Sequence, residues 1–200
     1  MTTHDWAKDV DRAHLVAIQD RRDLYGAGGV RHLILEVLSY ANDEAESLGR
    51  VGRARVIMRP NATVTVVDDG RGTDTRTDSE GHVIRKPVMA TKDIRFFDSV
   101  NSPRLPDGLP RRGMSTVAAL STELVHENHR THGSWSQTYR QGIPEDQLRQ
   151  LRKSDTTGTS VTFRTDVEGP DALTAGDLAA FPWLHVEVDQ PSVSFRSRLH

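Results

Sequence analysis

Val66-Val67-Asp68-Asp69-Gly70-Arg71-Gly72 carries an apolar strand pattern into an acidic pair and then a Gly-x-Gly turn. A carboxylate at the end of the strand sets a hydrogen-bond acceptor beside backbone that glycine lets a ligand approach closely. An exocyclic amine such as that of adenine would suit Asp68, so the run reads as a nucleotide site. It reads equally well as a hairpin turn, because Asp-Asp-Gly is ordinary turn chemistry. What tips the balance lies upstream.

There, Val30, Leu33, Ile34, Val37, Leu38, Ala41, Ala45 and Leu48 recur at helical spacing and predict an amphipathic helix from about Val30 to Leu48. Glu36, Tyr40, Asp43 and Glu44 fall beside the apolar stripe. His32 and Glu36 are four apart, so they share a face on adjacent turns, where an imidazole can hold a carboxylate in a fixed orientation. General bases are supported in this way. For any one of these residues a solvated polar face with an incidental pair is the competing account.

Outward from this pair, the pattern predicts a first helix from about Trp6 to Ile18 and a glycine hinge at Gly26-Ala27-Gly28-Gly29. Strands follow at Ala54 to Met58 and Thr63 to Val67, joined by a turn at Pro60-Asn61-Ala62. Thr73 to Lys86 reads as polar and irregular, with helices at Pro87 to Phe97 and Met114 to Leu120. Strands are expected at Glu123 to Glu127, Ser134 to Tyr139 and Ser160 to Thr165. Together these give an α+β two-layer sandwich, helices packed on one face of a mixed sheet, as a single domain over residues 1–200.

Composition narrows the function classes. With 26 basic and 28 acidic residues the chain has no global attraction to nucleic acid, so direct DNA binding is not expected. The absence of cysteine removes disulfides and thiolate metal sites. No apolar run is long enough to cross a bilayer, and the polar start from Met1 to Asp11 carries no signal pattern, so a cytoplasmic location is expected. His126, His129 and His132 invite a metal site, but residues three apart on a strand point to opposite faces, so no metal ligands are assigned. A Gly-x-x-x-x-Gly-Lys phosphate loop, a Gly-x-Ser-x-Gly elbow and a His-Glu-x-x-His helix are all missing from the sequence.

The order of Glu36 to Glu44 on a helix, then Asp68-Asp69-Gly70-Arg71-Gly72, then Thr156-Thr157-Gly158-Thr159 leading into Val161-Thr162-Phe163 resembles the ATPase domain of DNA gyrase B and related type II topoisomerases, in the GHKL superfamily. The likeness runs from about Val16 to Arg198. Gln19 to Tyr25 looks like the family's segment ending in Met-Tyr, while Leu173 to Phe181 and Val193 to Arg196 look like its last helix and strand. The resemblance implies the GHKL (Bergerat) fold, ATP as ligand and Mg2+ as its companion. It also implies roles: Glu36 as the base that polarises water, oriented by His32, and Asp68 as the acceptor of the adenine amine. Thr159 would help to hold the adenine-bound water. Arg71 and Glu44 would pair at the pocket mouth, with Gly72 beside the base and Asp43 as a further acidic helix residue.

Departures from the family pattern carry expectations of their own. Tyr40 stands where the family has a magnesium-ligating asparagine, and a phenol is a poor neutral ligand for this cation. Asn42 is turned about 200° from it on a helix and does not substitute. The family's Gly-Leu-His-Gly-Val-Gly phosphate loop is here Gly108-Leu109-Pro110-Arg111-Arg112-Gly113, in which Arg111 and Arg112 add fork-shaped donors suited to phosphate. The same stretch also reads as a basic surface loop before a helix. The lid from Phe96 to Asp107 lacks the family's Gly-Gly-Lys-Phe pattern, and Thr73-Asp74 replaces Ile-Pro. Ser136 replaces the arginine that gyrase uses to hold aminocoumarins, a loss of about 1.5–3 kcal/mol if the bond was charge-assisted.

Gyrase B continues into a transducer that donates a lysine to the terminal phosphate and then into DNA-handling regions, so strand passage is not expected of this chain alone; between an excised domain and a stand-alone protein, the altered lid and Tyr40 lean towards a divergent, stand-alone paralogue. Hydrolysis is then slow unless Arg111, Arg112 or a partner supplies the cation. The expectation is ATP binding with slow ATPase activity by a monomer or a weak ATP-dependent dimer, with a protein partner as a further possibility. Two alternatives stand beside it: a non-hydrolysing nucleotide or small-ligand module that signals to a partner, and a phosphoryl-transfer enzyme of a biosynthetic pathway.

Overall fold

A computed structural model describes residues 10–97, 102–145 and 147–189. In chain order the elements are α1 (Arg12–Asp20), α2 (Arg22–Tyr25), α3 (Gly29–Ser47), β1 (Gly52–Arg59), β2 (Thr63–Asp68), β3 (Thr75–Thr77), β4 (Val83–Arg85) and α4 (Ile94–Phe97). They continue with α5 (Met114–Ala119), β5 (Ser121–Arg130), β6 (Gly133–Arg140), β7 (Ile143–Pro144), β8 (Arg149–Leu151), β9 (Gly158–Thr165), α6 (Ala175–Ala179) and β10 (Leu184–Asp189). Eight strands form one sheet in the order β10-β1-β2-β9-β5-β6-β7, with β8 also on β6. Among the described residues only β1 and β10 pair in parallel, so the sheet is mixed. β3 and β4 make a separate small ribbon.

Helix α3 lies over β1, β2 and β10, and α5 lies over β5 and β6. The α+β layering expected from the sequence is therefore present. Leu33, Ile34, Leu38, Val56, Val66, Val117, Leu124 and Phe163 are buried at this interface. The apolar stripe of α3 is in place, yet burial spreads beyond it to Leu35, Ser39, His32 and Glu36, because the segment leading into α5 covers a second face.

Several boundaries differ from expectation, each for a local reason. α1 begins at Arg12 because Asp11 accepts the His14 amide and caps it there; Trp6 lies outside the described residues. The helix expected over Pro87 to Phe97 is instead a turn followed by the four-residue α4. The Thr91 hydroxyl and amide both donate to the Pro87 carbonyl, and the Asp93 carboxylate takes the Arg95 amide, so side chains compete with a continuous helix. The stretch Thr73 to Lys86 is not wholly irregular: Asp78 accepts from the Glu80 and His82 amides and closes the β3–β4 hairpin.

Strands β5 and β6 extend beyond both expected ends, and β9 begins two residues before its expected start. At the far end α6 is short, bounded by a Thr174/Asp177 capping box. The expected strand at Val193 to Arg196 lies outside the described residues. The last described strand is β10, whose alternation Leu-His-Val-Glu-Val-Asp places Leu184, Val186 and Val188 toward the core. Among the described residues no helix is long and apolar enough to cross a membrane.

Candidate nucleotide site

A cavity of about 190 Å3 opens between α3 and the β2–β9–β5 part of the sheet. Val37, Ala41, Met89, Met114 and Val161 give it apolar walls, with Asp68 among the lining residues. β2 ends at Asp68, whose Oδ1 accepts from the Gly70 amide at 2.9 Å and the Thr159 amide at 3.3 Å; Oδ2 accepts from the Thr159 hydroxyl. Burial raises the Asp68 pKa, and the bonds from Thr159 and Gly70 oppose that rise only in part. Gly158 makes this contact possible: its φ is +142°, and a Cβ there would overlap the Asp68 carbonyl oxygen.

At the mouth, Glu44 accepts from Arg71 at 2.6 Å and 3.0 Å, and Arg71 also reaches the Ser47 hydroxyl. The bond from Arg71 holds the Glu44 carboxyl below its usual range. Gly72 has φ +80°, and Asn128 Oδ1 occupies the space that any Cβ there would need. Asn128 itself clamps the Thr73 amide and carbonyl, while Arg130 holds the Gly72 carbonyl, so β5 fixes the turn. Asn128 and Arg130 escape a reading of the sequence because they lie more than fifty residues from that turn and belong to no local pattern.

Further along α3 the side chains are engaged with one another. Glu36, buried, accepts from the Arg112 amide at 2.5 Å and the Gly113 amide at 2.9 Å. Burial raises its pKa, against the lowering effects of His32 and the two amides. His32 Nε2 is 3.6 Å from Glu36, and its Nδ1 is 2.7 Å from the Asp107 carboxylate. Asp107 completes a chain Asp107–His32–Glu36 that sequence reading misses; it directly precedes the glycine at which the phosphate-loop match begins. Burial pushes the Asp107 carboxyl up, but the His32 bond and charge, the Leu109 amide and Arg31 together bring it below the usual range.

Arg111 does not face the cavity opening. Its guanidinium forks onto Asp43 at 2.8 Å and 3.2 Å and lies over the rings of Tyr40 and Phe96. Tyr40 donates its hydroxyl to Asp93 at 2.7 Å, and Arg95 forks onto the same carboxylate. Burial and then Asp93 push the Tyr40 pKa well up. The Arg112 side chain lies over Tyr25 and Phe97, and the Gly108 amide closes a turn onto Leu105.

Asp68, Thr159, Gly72, Arg71 and Glu44 thus gather at the cavity, whereas Glu36, His32, Arg112 and Gly113 form a separate, largely buried cluster that does not line it. Asp43 and Arg111 pair outside the cavity, lining a second cleft with Ser39, Leu105 and Phe181, while Gly108 stands apart in an exposed turn. Of the histidines, His126 lines the cavity, His129 meets Ser134 and His132 packs at a tilt against the Trp135 ring. Burial, with His129 adding to it, lowers the His126 pKa to about 4.

No family model matches the chain. It is 32% identical over 160 residues to the DNA gyrase B protein of Borreliella burgdorferi, covering 77% of this chain. Over 157 residues and 76% of this chain it is 35% identical to the gyrase B protein of Mycobacterium tuberculosis and 32% identical to that of Streptomyces coelicolor. The matched region spans about a quarter of the length of these relatives.

Proposed function

From the premise that this chain belongs to the gyrase B family, as a GHKL domain, we propose that its cavity binds ATP, with Asp68 accepting from the adenine 6-amino group. One observation supports this above the others: a carboxylate held by Thr159 and Gly70 at the end of a slot with apolar walls. Such a slot takes a flat heteroaromatic ring, and the carboxylate selects one with a donor at its edge. The Arg71–Glu44 pair closes the mouth beside it. Replacing Asp68 with Asn turns an acceptor edge partly into a donor and is expected to abolish ATP binding in a calorimetric titration; unchanged affinity would refute the assignment.

On the same reading Glu36 polarises water for hydrolysis, oriented by His32, which Asp107 positions. Glu36 must first leave the amides of Arg112 and Gly113, so turnover is slow. Magnesium does not fit side chains here: the Tyr40 hydroxyl donates to Asp93, and Asn42 accepts from the Trp183 amide on another side of the helix. Among the described residues no group of three or more histidine, aspartate or glutamate side chains is arranged to hold a metal ion.

Phosphate release from ATP by the wild type, lost in Glu36→Gln, would support an ATPase. Absence of release with ATP bound favours the second reading, a non-hydrolysing module that signals to a partner, and the engagement of Glu36 with the loop amides speaks for it. The protein is then a cytoplasmic monomer or a weak ATP-dependent dimer without DNA affinity of its own. A tight dimer without nucleotide in sedimentation would contradict that.

A further inference from the structure

If the base lies on Asp68, α3 sets the direction of the rest of the ligand. Glu44 and Ala41 flank the base end, Tyr40 and Val37 line the next turn, and Glu36 lies roughly 12 Å from Glu44 along the axis. Phosphates attached through the ribose therefore run past Tyr40 toward Arg111, Arg112 and Gly113.

Donors along that route already hold carboxylates of this chain. The Arg112 and Gly113 amides carry Glu36, Arg111 carries Asp43, Arg95 carries Asp93 and His32 carries Asp107. Arg111 is 7% exposed and packed against the rings of Tyr40 and Phe96, so it cannot swing free without opening that packing. A phosphate that displaced one of these carboxylates would exchange one anion for another and strand a half-buried or buried charge. Among the described residues two further cations stand to the sides of this route. Lys86 stands with Thr73, Asp74 and His126 on the wall beyond the base, and Arg112 directs an N–H toward the Phe96 carbonyl above Tyr25 and Phe97.

We infer that this is an adenosine site whose phosphate side is neutralised from within, so that phosphates on the ligand add no affinity. The ligand class is an adenine nucleoside, free or phosphorylated, read by its base and not by its phosphates. This rests on the reading that Asp68 takes the base. It deepens that reading by naming which part of the nucleotide the protein senses.

The test is a titration of the full chain with adenosine, AMP, ADP and ATP, by calorimetry or by NMR shifts, with and without magnesium. Dissociation constants within about threefold of one another across the series are expected. ATP binding tenfold or more tighter than adenosine overturns the inference while leaving the base assignment intact. If none of the four binds, or if Asp68→Asn leaves adenosine affinity unchanged, the base assignment itself fails and the inference falls with it. Asp43→Asn leaves the packed Arg111 guanidinium in place without its counter-charge, and Asp93→Asn leaves Arg95 with only the more distant Asp43 at 3.8 Å; the ratio of ATP to adenosine affinity should rise at least tenfold in the first and by less in the second. A ratio that stays put in both folded variants overturns the argument from internal neutralisation.

Discussion

Asp107 and His32 are each nearly closed to solvent at their side chains, so the imidazole N–H and the carboxylate depend on each other. Asp107→Ala leaves a buried donor without a partner, a cost of about 1–3 kcal/mol. Asp107→Asn keeps an oxygen for His32 and should cost less than about 1 kcal/mol. Urea midpoints of the two variants check this, and equal losses would show that the contact is not what stabilises the loop. His126 sets a pH response of its own. Its folded pKa, lowered to about 4 from an ordinary 6.5, means the neutral ring is the folded form. The stability it contributes is present above about 6.5 and is lost as pH falls toward 4, by about 2 kcal/mol once its partial opening to the cavity is allowed for. His126→Gln should flatten the melting temperature over that range.

Between elements, the decisive contact is that of β9 with the end of β2. Gly158→Ala would drive a Cβ into the Asp68 carbonyl, and the strands would have to part where the acceptor sits. A loss above about 3 kcal/mol is expected, together with ligand binding. Gly108→Ala, also at positive φ but with nothing within 4 Å of its Cβ, should cost only about 1 kcal/mol of backbone strain. Thermal melts of the pair separate the two mechanisms.

This is also the scale at which legibility divides. The helix bearing Glu36 and the strand ending in Asp68 are readable because hydrophobic period and turn chemistry agree there. The Pro87 to Phe97 segment misleads because hydroxyl and carboxylate bonds to its own backbone outweigh a weak helical pattern. β10 escapes the reading of the sequence although its alternation is plain, because the family resemblance directs attention past it to Val193–Arg196. The partners of Arg111, Tyr40 and His32 cannot be read at all, since Asp43, Asp93 and Asp107 stand 53 to 75 residues away from them.

Across the whole molecule, Arg31 at the start of α3 forks onto Asp177 of α6 at 2.7 Å and 2.9 Å, tying distant parts of the described chain together. Asp177 is almost fully buried, accepts from the Thr174 amide and completes the cap of its own helix. The bond from Arg31 keeps its carboxyl below the usual range, so its stabilisation is present above about 3.8 and is lost as pH falls through the depressed value. Asp177→Ala removes the reciprocal half of the capping box, keeping the Thr174 cap, and leaves Arg31 without its fork, about 3 kcal/mol in total. Denaturant unfolding should register that loss while nucleotide titration should not.

Just beyond this tie, β10 is the outermost described strand of the large sheet and runs parallel to its neighbour. Recombinant fragments cut before Leu184 would leave β1 with a bare hydrogen-bonding flank and uncover the apolar residues that Val186 and Val188 shield. Such fragments should form strand-swapped or insoluble species, so any expression boundary for this domain belongs downstream of Asp189.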